Sequence, residues 1–366
     1  MPLSDSDLEK WDYKAHTKVK HGLLEKYVIG WLRYLSKFGK VCIFDCFAGR
    51  GEYKKGEEGS PIIILDCVGS CTNLLNEVVC IFIEKNPDNF KNLERVLDQK
   101  NKSDPKKYEK IKIIVKNDEF ANIASEIIEE VGERLAPSFF FIDPFGFSGI
   151  PFNIIKNILS KKHTEVFITF MTRDINRFLS DSRKINTLNE LFGTKKWEEI
   201  SKIENSADRE NKLRDLYIEQ LKNEAKFVRV YRVNMDEVKQ TVYYLIHATN
   251  HFKGFKLMTD IMWKQSTSGG MFAFLGPDEG QLRLCDFGSN ISSLKKFLLD
   301  KFSKRTLSFW EIMEECYKNL DCIEQHYRTA LKELLKEGKI KREPEFTRRG
   351  KPRTGIDQED KITFLF

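Results

Sequence analysis

Val41-Cys42-Ile43-Phe44-Asp45-Cys46-Phe47-Ala48-Gly49-Arg50-Gly51-Glu52-Tyr53 is the stretch whose reading decides the fold. Val41 to Phe44 is a short apolar run rich in β-branched residues, the pattern of a strand buried on both faces of a parallel sheet. Asp45 ends the run, and Gly49 and Gly51 then break it. Glycines at the carboxyl edge of such a sheet let the backbone approach a ligand closely. An acid there accepts hydrogen bonds from ribose hydroxyls or from a ligand amino group. A lone Gly-x-Gly is a weak signal, so the remaining chain has to complete the site or sink it.

The remaining chain supplies acids at three further strand ends. Val78 to Ile83 reads as a second buried strand ending at Glu84, where a carboxylate accepts hydrogen bonds from ribose hydroxyls. Ile111 to Val115 leads to Asp118, which either contacts a base or caps the helix expected over 119–134. Ser138 to Ile142 ends in Asp143-Pro144-Phe145-Gly146-Phe147. That sequence places a carboxylate and a turn-forcing proline where a substrate amino group can be gripped, with Phe145 and Phe147 available to stack on a flat base; the bland alternative is a turn. This tip is expected beside the first strand, at the topological switch point where open α/β sheets bind ligands. Glu165 to Phe170 continues the sheet. Arg173 and Arg177 follow at the same edge, either as phosphate or backbone contacts or, with Asp174, as a surface ion pair.

Around these strands, residues 12–37 carry Leu23, Leu24, Tyr27, Val28, Trp31, Leu32 and Leu35 at helical spacing. The leading turn, His16 to His21, reaches a phosphate or the cofactor pocket, unless it is a solvated face, as most charge runs are. Ser60 suits an N-cap and Pro61 a first helical position, so the next helix is expected near 61. The loop 48–60 is then long and reads as a lid or substrate loop, with Arg50 and Tyr53 above the pocket. Residues 180–224 form a helical insertion. Phe227 to Val233 and Thr241 to Ala248 alternate as an antiparallel pair at the sheet's far edge. Ser266 to Gly270 reads as a turn before short strands at 272–275 and 282–287. His247 and His251 have no acid at metal spacing, so no metal site is expected.

At 366 residues the chain is expected to hold two domains, 1–290 and 291–366. Its 41% hydrophobic and 32% charged residues are those of a soluble globular protein, with no apolar run of membrane-spanning length and no secretory signal at Met1-Pro-Leu-Ser. A cytoplasmic location without membrane association is expected. The eight cysteines lie mostly in apolar stretches without paired C-x-x-C units and read as buried free thiols. In the second domain, helices at 291–302, 308–318 and 323–337 precede a hairpin that ends at 362–366, which describes a winged helix-turn-helix. Residues 338–355 hold seven Lys/Arg against two Glu, so a large part of the net charge of +6 falls in this wing. Arg348, Arg349, Lys351 and Arg353 are therefore candidates for nucleic-acid backbone contact, with protein docking as the rival.

The ordered set Asp45-x-Phe-Ala-Gly-x-Gly51, Glu84, Asp118 and Asp143-Pro-Phe-Gly146 resembles the class I S-adenosylmethionine-dependent methyltransferases. The combination with Gly59-Ser60-Pro61 and Phe82-Ile-Glu84 is more specifically similar to the three-Cys-motif partner proteins, over roughly residues 10–290. The resemblance implies a Rossmann-like α/β sheet with a C-terminal winged helix and S-adenosylmethionine as cofactor. It implies that Asp45, Phe47, Ala48, Gly49 and Gly51 lie along the methionine part, that Glu84 binds ribose and that Asp118 meets adenine. Asp143, Pro144 and Phe145 would face the substrate as the catalytic motif, flanked by Tyr53, Phe147 and Arg173. A partner bearing a three-cysteine motif is implied as well. Amino-methyltransferases of nucleic-acid bases carry Asp/Asn-Pro-Pro-Tyr/Phe, from which Asp143-Pro144-Phe145-Gly146 departs.

Two functions follow as expectations. One is methyl transfer to nucleic acid, with Asp143 orienting an amino nitrogen; the other is a non-catalytic subunit that positions nucleic acid for its partner. A dinucleotide-dependent oxidoreductase is disfavoured, because Asp45 precedes the glycines and no Gly-x-Gly-x-x-Gly is present.

Overall fold

A computed structural model describes residues 13, 15–74, 76–234, 241–265, 272–275, 291–318, 320, 322–344 and 355–365. The chain divides into two compact units, Met1–Phe274 and Leu275–Phe366. The boundary expected after 290 lies inside the second of these, and residues 276–290 lie outside the described residues.

The first unit is a Rossmann-like α/β structure, as the sequence leads one to expect. Its strands are β1 (Lys40–Asp45), β2 (Glu77–Ile83), β3 (Ile111–Lys116), β4 (Ser138–Ile142), β5 (Thr164–Phe170), β6 (Phe227–Asn234), β7 (Thr241–Thr249) and β8 (Phe272–Leu275). Among the described residues they form one sheet in the order β3-β2-β1-β4-β5-β7-β6-β8. The pairs among β1 to β5 are parallel, whereas β7 is antiparallel to both β5 and β6. The pair β6 and β7, expected at the far edge, is thus interior to β8, and β7 reaches the centre by pairing with β5.

Register explains the functional edge. Asp45 lies opposite Phe82 and Phe141, Ile83 opposite Lys116, and Phe170 opposite Tyr244. The ends of β1 to β5 therefore line one edge, and the reversal of β7 brings its first residues to that same edge. Between β1 and β4 the strand order changes direction, which leaves a crevice at the strand ends. Phe44 stacks on Phe140 across this junction, with centroids 4.2 Å apart.

Helix α1 (Ala15–Tyr34) covers one face of the sheet. Leu23, Leu24, Tyr27, Val28 and Leu32 have no exposed surface, and each such burial contributes about 1.5–3 kcal/mol. The same buried row begins with Thr17, Lys20 and His21. Helix α2 (Ser60–Gly69) starts one residue earlier than expected, with Gly59 rather than Ser60 at the N-cap and Pro61 in the first turn. Helix α3 (Pro87–Ser103) is capped by the Asn86 side chain, which accepts from the amides of Asp88 and Asn89. The insertion is helical, at Ile185–Phe192, Trp197–Ser201 and Ser206–Glu224. Phe152–Leu159, between β4 and β5, is a helix that the sequence reading passed over.

At the end of the sheet opposite the glycine loop, Glu165 is 5% exposed and holds three elements together. It accepts from Tyr27 Oη, from Trp31 Nε1 at 3.3 Å, and lies 3.0 Å from His247 Nε2. His247 is thus a partner of Glu165 in the core. Gly254 packs against the same carboxylate: a Cβ there would lie 2.5 Å from both Glu165 oxygens.

The second unit contains helices Ile291–Phe302, Phe309–Cys316 and Glu324–Lys336 and strands β9 (Thr306–Ser308), β10 (Ile340–Glu343) and β11 (Lys361–Phe364). The strands pair antiparallel in the order β10-β11-β9, so the winged helix carries a three-stranded sheet where a two-stranded wing is expected. Thr306–Ser308 is too short to announce itself by periodicity. Ser308 and Glu311 form a reciprocal capping box at the start of the second helix. Cys42, Cys46, Cys67, Cys71, Cys80, Cys316 and Cys322 are free and buried, and Cys285 lies outside the described residues.

Gly254→Ala tests the Glu165 network, since the new methyl can be housed only by displacing a carboxylate held by three partners. It is expected to lower unfolding free energy by roughly 1–3 kcal/mol in urea denaturation. An unchanged midpoint would mean that Glu165 yields freely.

Candidate active site at the carboxyl edge

The glycine loop is shaped by backbone constraints. Gly49 and Gly51 have φ of 64° and 86°, in the region that disfavours side chains. The Ala48 amide donates to the Ile83 carbonyl at 2.9 Å, which ties the loop to the end of β2. The Gly59 amide donates to the Gly51 carbonyl at 2.9 Å, and a Cβ at Gly59 would lie 2.8 Å from that oxygen. Between these glycines the chain makes a small hairpin, with Glu52 bridging Glu58 and the Tyr53 amide donating to the Glu57 carbonyl at 2.8 Å. Helix α3 holds it. Asn92 donates to the Arg50 carbonyl at 2.8 Å, Arg95 pairs with Glu52 at 2.8 Å, and Lys100 pairs with Glu58 at 2.8 Å. The loop expected to be a lid is therefore latched at three points by polar groups of α3.

Asp45 is fully buried, and neither carboxylate oxygen completes a hydrogen bond of good geometry. Burial pushes its carboxyl up to about 7, and the charge of Asp143 adds to the rise. The nearby Ser60 hydroxyl, Phe47 amide and Lys20 oppose it. The Ser60 side chain makes no capping hydrogen bond at the helix start. Phe47 and Ala48 pack around the loop: the Phe47 ring lies 5.8 Å from Phe120, and Ala48 is 5% exposed.

Glu84 follows β2, and its carboxylate accepts from the Asn86 amide at 2.6 Å. Burial raises its pKa, while the amides of Asn86 and Gly49 and the Asn89 side chain act against the rise. Glu84 therefore faces the glycine loop. Asp118 is exposed and accepts from the Glu119 amide at 2.6 Å and from Asn122 Nδ2 at 2.9 Å; these bonds hold its carboxyl below the usual range. The N-cap of the following helix, Phe120–Val131, is Glu119, so Asp118 stands one residue outside it.

Asp143 forms an ion pair with Lys20 through Oδ2, with the two side chains 18% and 8% exposed, while its Oδ1 is buried without a partner. Pro144 is buried behind it. Phe145 and Phe147 part company: Phe145 is 60% exposed, whereas Phe147 is 5% exposed and packs 5.9 Å from Phe178. That packing withdraws Phe147 from stacking on a ligand. Arg173 and Arg177 are exposed on Thr172–Phe178, with the Arg177 guanidinium 4.7 Å from the Phe178 ring. Arg348, Arg349, Lys351 and Arg353 lie outside the described residues.

The structure adds residues to this edge. Lys20 lies 5.6 Å from the Tyr243 ring centre, and Tyr243 donates to the His16 carbonyl at 2.8 Å. Tyr53 packs 5.1 Å from Tyr13 and 5.8 Å from His21. Burial and the negative charge of Asp143 raise the Tyr53 and Tyr243 hydroxyls. Burial and the adjacent Lys20 push His21 down to about 3, which keeps its imidazole neutral at physiological pH. Lys20 had a legible signal: it stands three, four and seven residues before Leu23, Leu24 and Tyr27, on the apolar stripe. Tyr243 had none, because only the pairing of β7 with β5 brings it here.

Residues 274–345 match the family model described as a GMT-like wHTH domain. No curated protein sequence matches the chain. Among solved structures, the chain is similar to a Legionella pneumophila protein at 12% identity, covering 70% of this chain and 95% of that one, with a TM-score of 0.43. It is similar to Trm1 from Pyrococcus horikoshii, solved with S-adenosyl-L-methionine, at 11% identity, covering 99% and 94%, with a TM-score of 0.36. A precorrin-6y C5,15-methyltransferase from Geobacter metallireducens is 13% identical, with coverage of 66% and 92% and a TM-score of 0.34.

Asp45 generates a pH prediction. Its folded pKa lies above the unfolded carboxylate value, so between about pH 4 and pH 7 the folded protein binds more protons and this group lowers stability as pH rises. Asp45→Asn should remove that slope and stabilise the ligand-free protein above pH 7, by at most about 4 kcal/mol. Urea unfolding of both proteins from pH 4 to 8 checks it; parallel profiles would place the titration elsewhere.

Proposed function

We propose that this protein is an S-adenosylmethionine-dependent methyltransferase that acts on nucleic acid, with a base amino nitrogen as acceptor. The observation that carries the cofactor reading is Asp45: a fully buried carboxylate that completes no hydrogen bond of good geometry, with only the Ser60 hydroxyl and Phe47 amide near it, beside two glycines of positive φ. Such a group asks for a donor-rich cation, which the ammonium of the cofactor's methionine part fits. Ala48, Gly49 and Gly51 offer backbone for close approach, Glu84 a carboxylate for the ribose and Asp118 an exposed one near the adenine. The cofactor supplies a methyl group already activated by a sulfonium, so the protein's part is alignment and exclusion of water.

Asp143 is the residue we assign to hold the acceptor nitrogen, because Oδ1 is buried and unpaired and the side chain is shielded by Tyr53 and Tyr243. Its Oδ2 stays neutralised by Lys20. Exposed Phe145, Arg173 and Arg177 at the same edge suit a base and its phosphates. The winged-helix unit supports a nucleic-acid target, although Arg342 spends its guanidinium on buried Asp360 at 2.6 Å and so leaves the wing's contacts to the other basic residues.

One observation favours the second reading, a non-catalytic subunit that presents nucleic acid to a three-cysteine-motif partner. Lys20 already occupies the carboxylate that transfer would use.

Calorimetry with S-adenosylhomocysteine is the first test. Binding is expected, weakening as pH falls below about 7 by up to about tenfold per unit as Asp45 takes up its proton. An intact fold that gives no heat removes the cofactor reading. Asp143→Asn is expected to lower transfer from labelled S-adenosylmethionine to total nucleic acid at least ~100-fold while leaving cofactor affinity in place. Transfer at the wild-type rate would clear Asp143 of the role. Neutralising Arg348, Arg349, Lys351 and Arg353 together should weaken nucleic-acid binding and flatten its salt dependence; an unchanged salt slope would point to protein docking.

A further inference from the structure

A groove of about 670 Å³ runs along the outer side of α1, between that helix, the glycine-loop hairpin and the end of Phe252–Gln265. Tyr13, His21, Gly22, Glu57, Ile63 and Gln265 line it. Its size is that of a small-molecule site. Two of its lining side chains carry buried polar atoms with no hydrogen-bond partner, His21 Nδ1 and Glu57 Oε2, and His21 is only 4% exposed. Leaving such an atom unsatisfied carries a desolvation cost, which a ligand that meets both recovers.

The two atoms and the walls specify the ligand's chemistry. Tyr13 and His21 lie 5.6 Å apart with rings tilted by 40°, and Tyr53 extends the aromatic wall behind them. Ile63 adds an apolar side. Flat rings bind such walls, and a carboxylate beside a neutral imidazole calls for N–H donors. Lys18 and Lys26 offset Glu25 and Glu58 in the lining, which leaves the Glu57 carboxylate as its uncompensated charge.

We infer that this groove is a binding site for a flat, amino-bearing nitrogen heterocycle, the class to which adenine and cytosine belong, held through its exocyclic amino group by Glu57 and His21. Its carboxylate, Glu57, is not one of the strand-tip acids, although His21 and Tyr53 stand between the groove and Asp143, and the assignment does not require methyl transfer to occur.

The test is calorimetric titration of the full chain with adenosine and cytidine against inosine and uridine, in saturating S-adenosylhomocysteine and again in Glu84→Gln, which leaves the groove intact. At least one amino-bearing nucleoside is expected to bind tenfold or more tightly than its oxo counterpart. Glu57→Gln, whose main-chain bond to Tyr53 is untouched, and His21→Phe, which keeps a ring, should each remove that preference. A matching thermal melt for Glu57→Gln shows that the loss is not unfolding. Equal binding of amino and oxo nucleosides, no binding of any, unaltered binding in Glu57→Gln, or displacement by spermidine as the tighter ligand would each overturn the assignment.

Discussion

The ion pair between Lys20 and Asp143 is the contact on which the carboxyl edge depends. It joins the first helix to the end of the fourth strand, beside the point where the sheet reverses its order. Both side chains are largely buried, and removing one member of such a pair leaves an uncompensated charge at a cost of about 3–5 kcal/mol. The pair also fixes the approach of Tyr243, whose ring faces the ammonium, and of Tyr53 and His21, which close the space around Asp143.

Three carboxylates at adjoining strand ends hold different protonation balances because their surroundings differ. Asp45 has lost its water and gained no strong partner, so it holds a proton near neutrality. Glu84 is partly compensated by backbone amides, and Asp118 stands in solvent with two donors. This gradient from buried to exposed suits a ligand whose cationic end enters first and whose uncharged ring stays near the surface. The α3 latch on the glycine hairpin adds rigidity, since its two ion pairs and the Asn92 hydrogen bond are individually weak but act together at three points.

The winged-helix unit is governed by different forces. Its core closes around Leu298, Phe302, Ile312, Leu331 and Ile362, all without exposed surface. Asp360, wholly buried, is matched by Arg342, so one cation of a conspicuously basic stretch serves the fold. Charge counted along a sequence therefore overstates what is available to a partner.

The sequence by itself determined the strands and their order of acids. The apolar runs at 41–44, 78–83 and 138–142 are long enough to be strands and too short to be helices, and an acid follows each of them. The capping pattern of Ser308 and Glu311 likewise belongs to local chemistry. What the tertiary structure alone decided is which side chains converge. Phe147 and Phe145 are two residues apart and looked equivalent; packing on Phe178 buried one and left the other exposed. Tyr243 reaches the site only because β7 runs backwards against β5, a pairing across more than seventy residues that no local pattern encodes. Lys20 was visible as a charge on an apolar stripe, but that its partner is Asp143 follows from the helix crossing the strand ends. Local periodicity fixes an element and its faces, whereas the meeting of distant faces is set by the packing of the whole sheet.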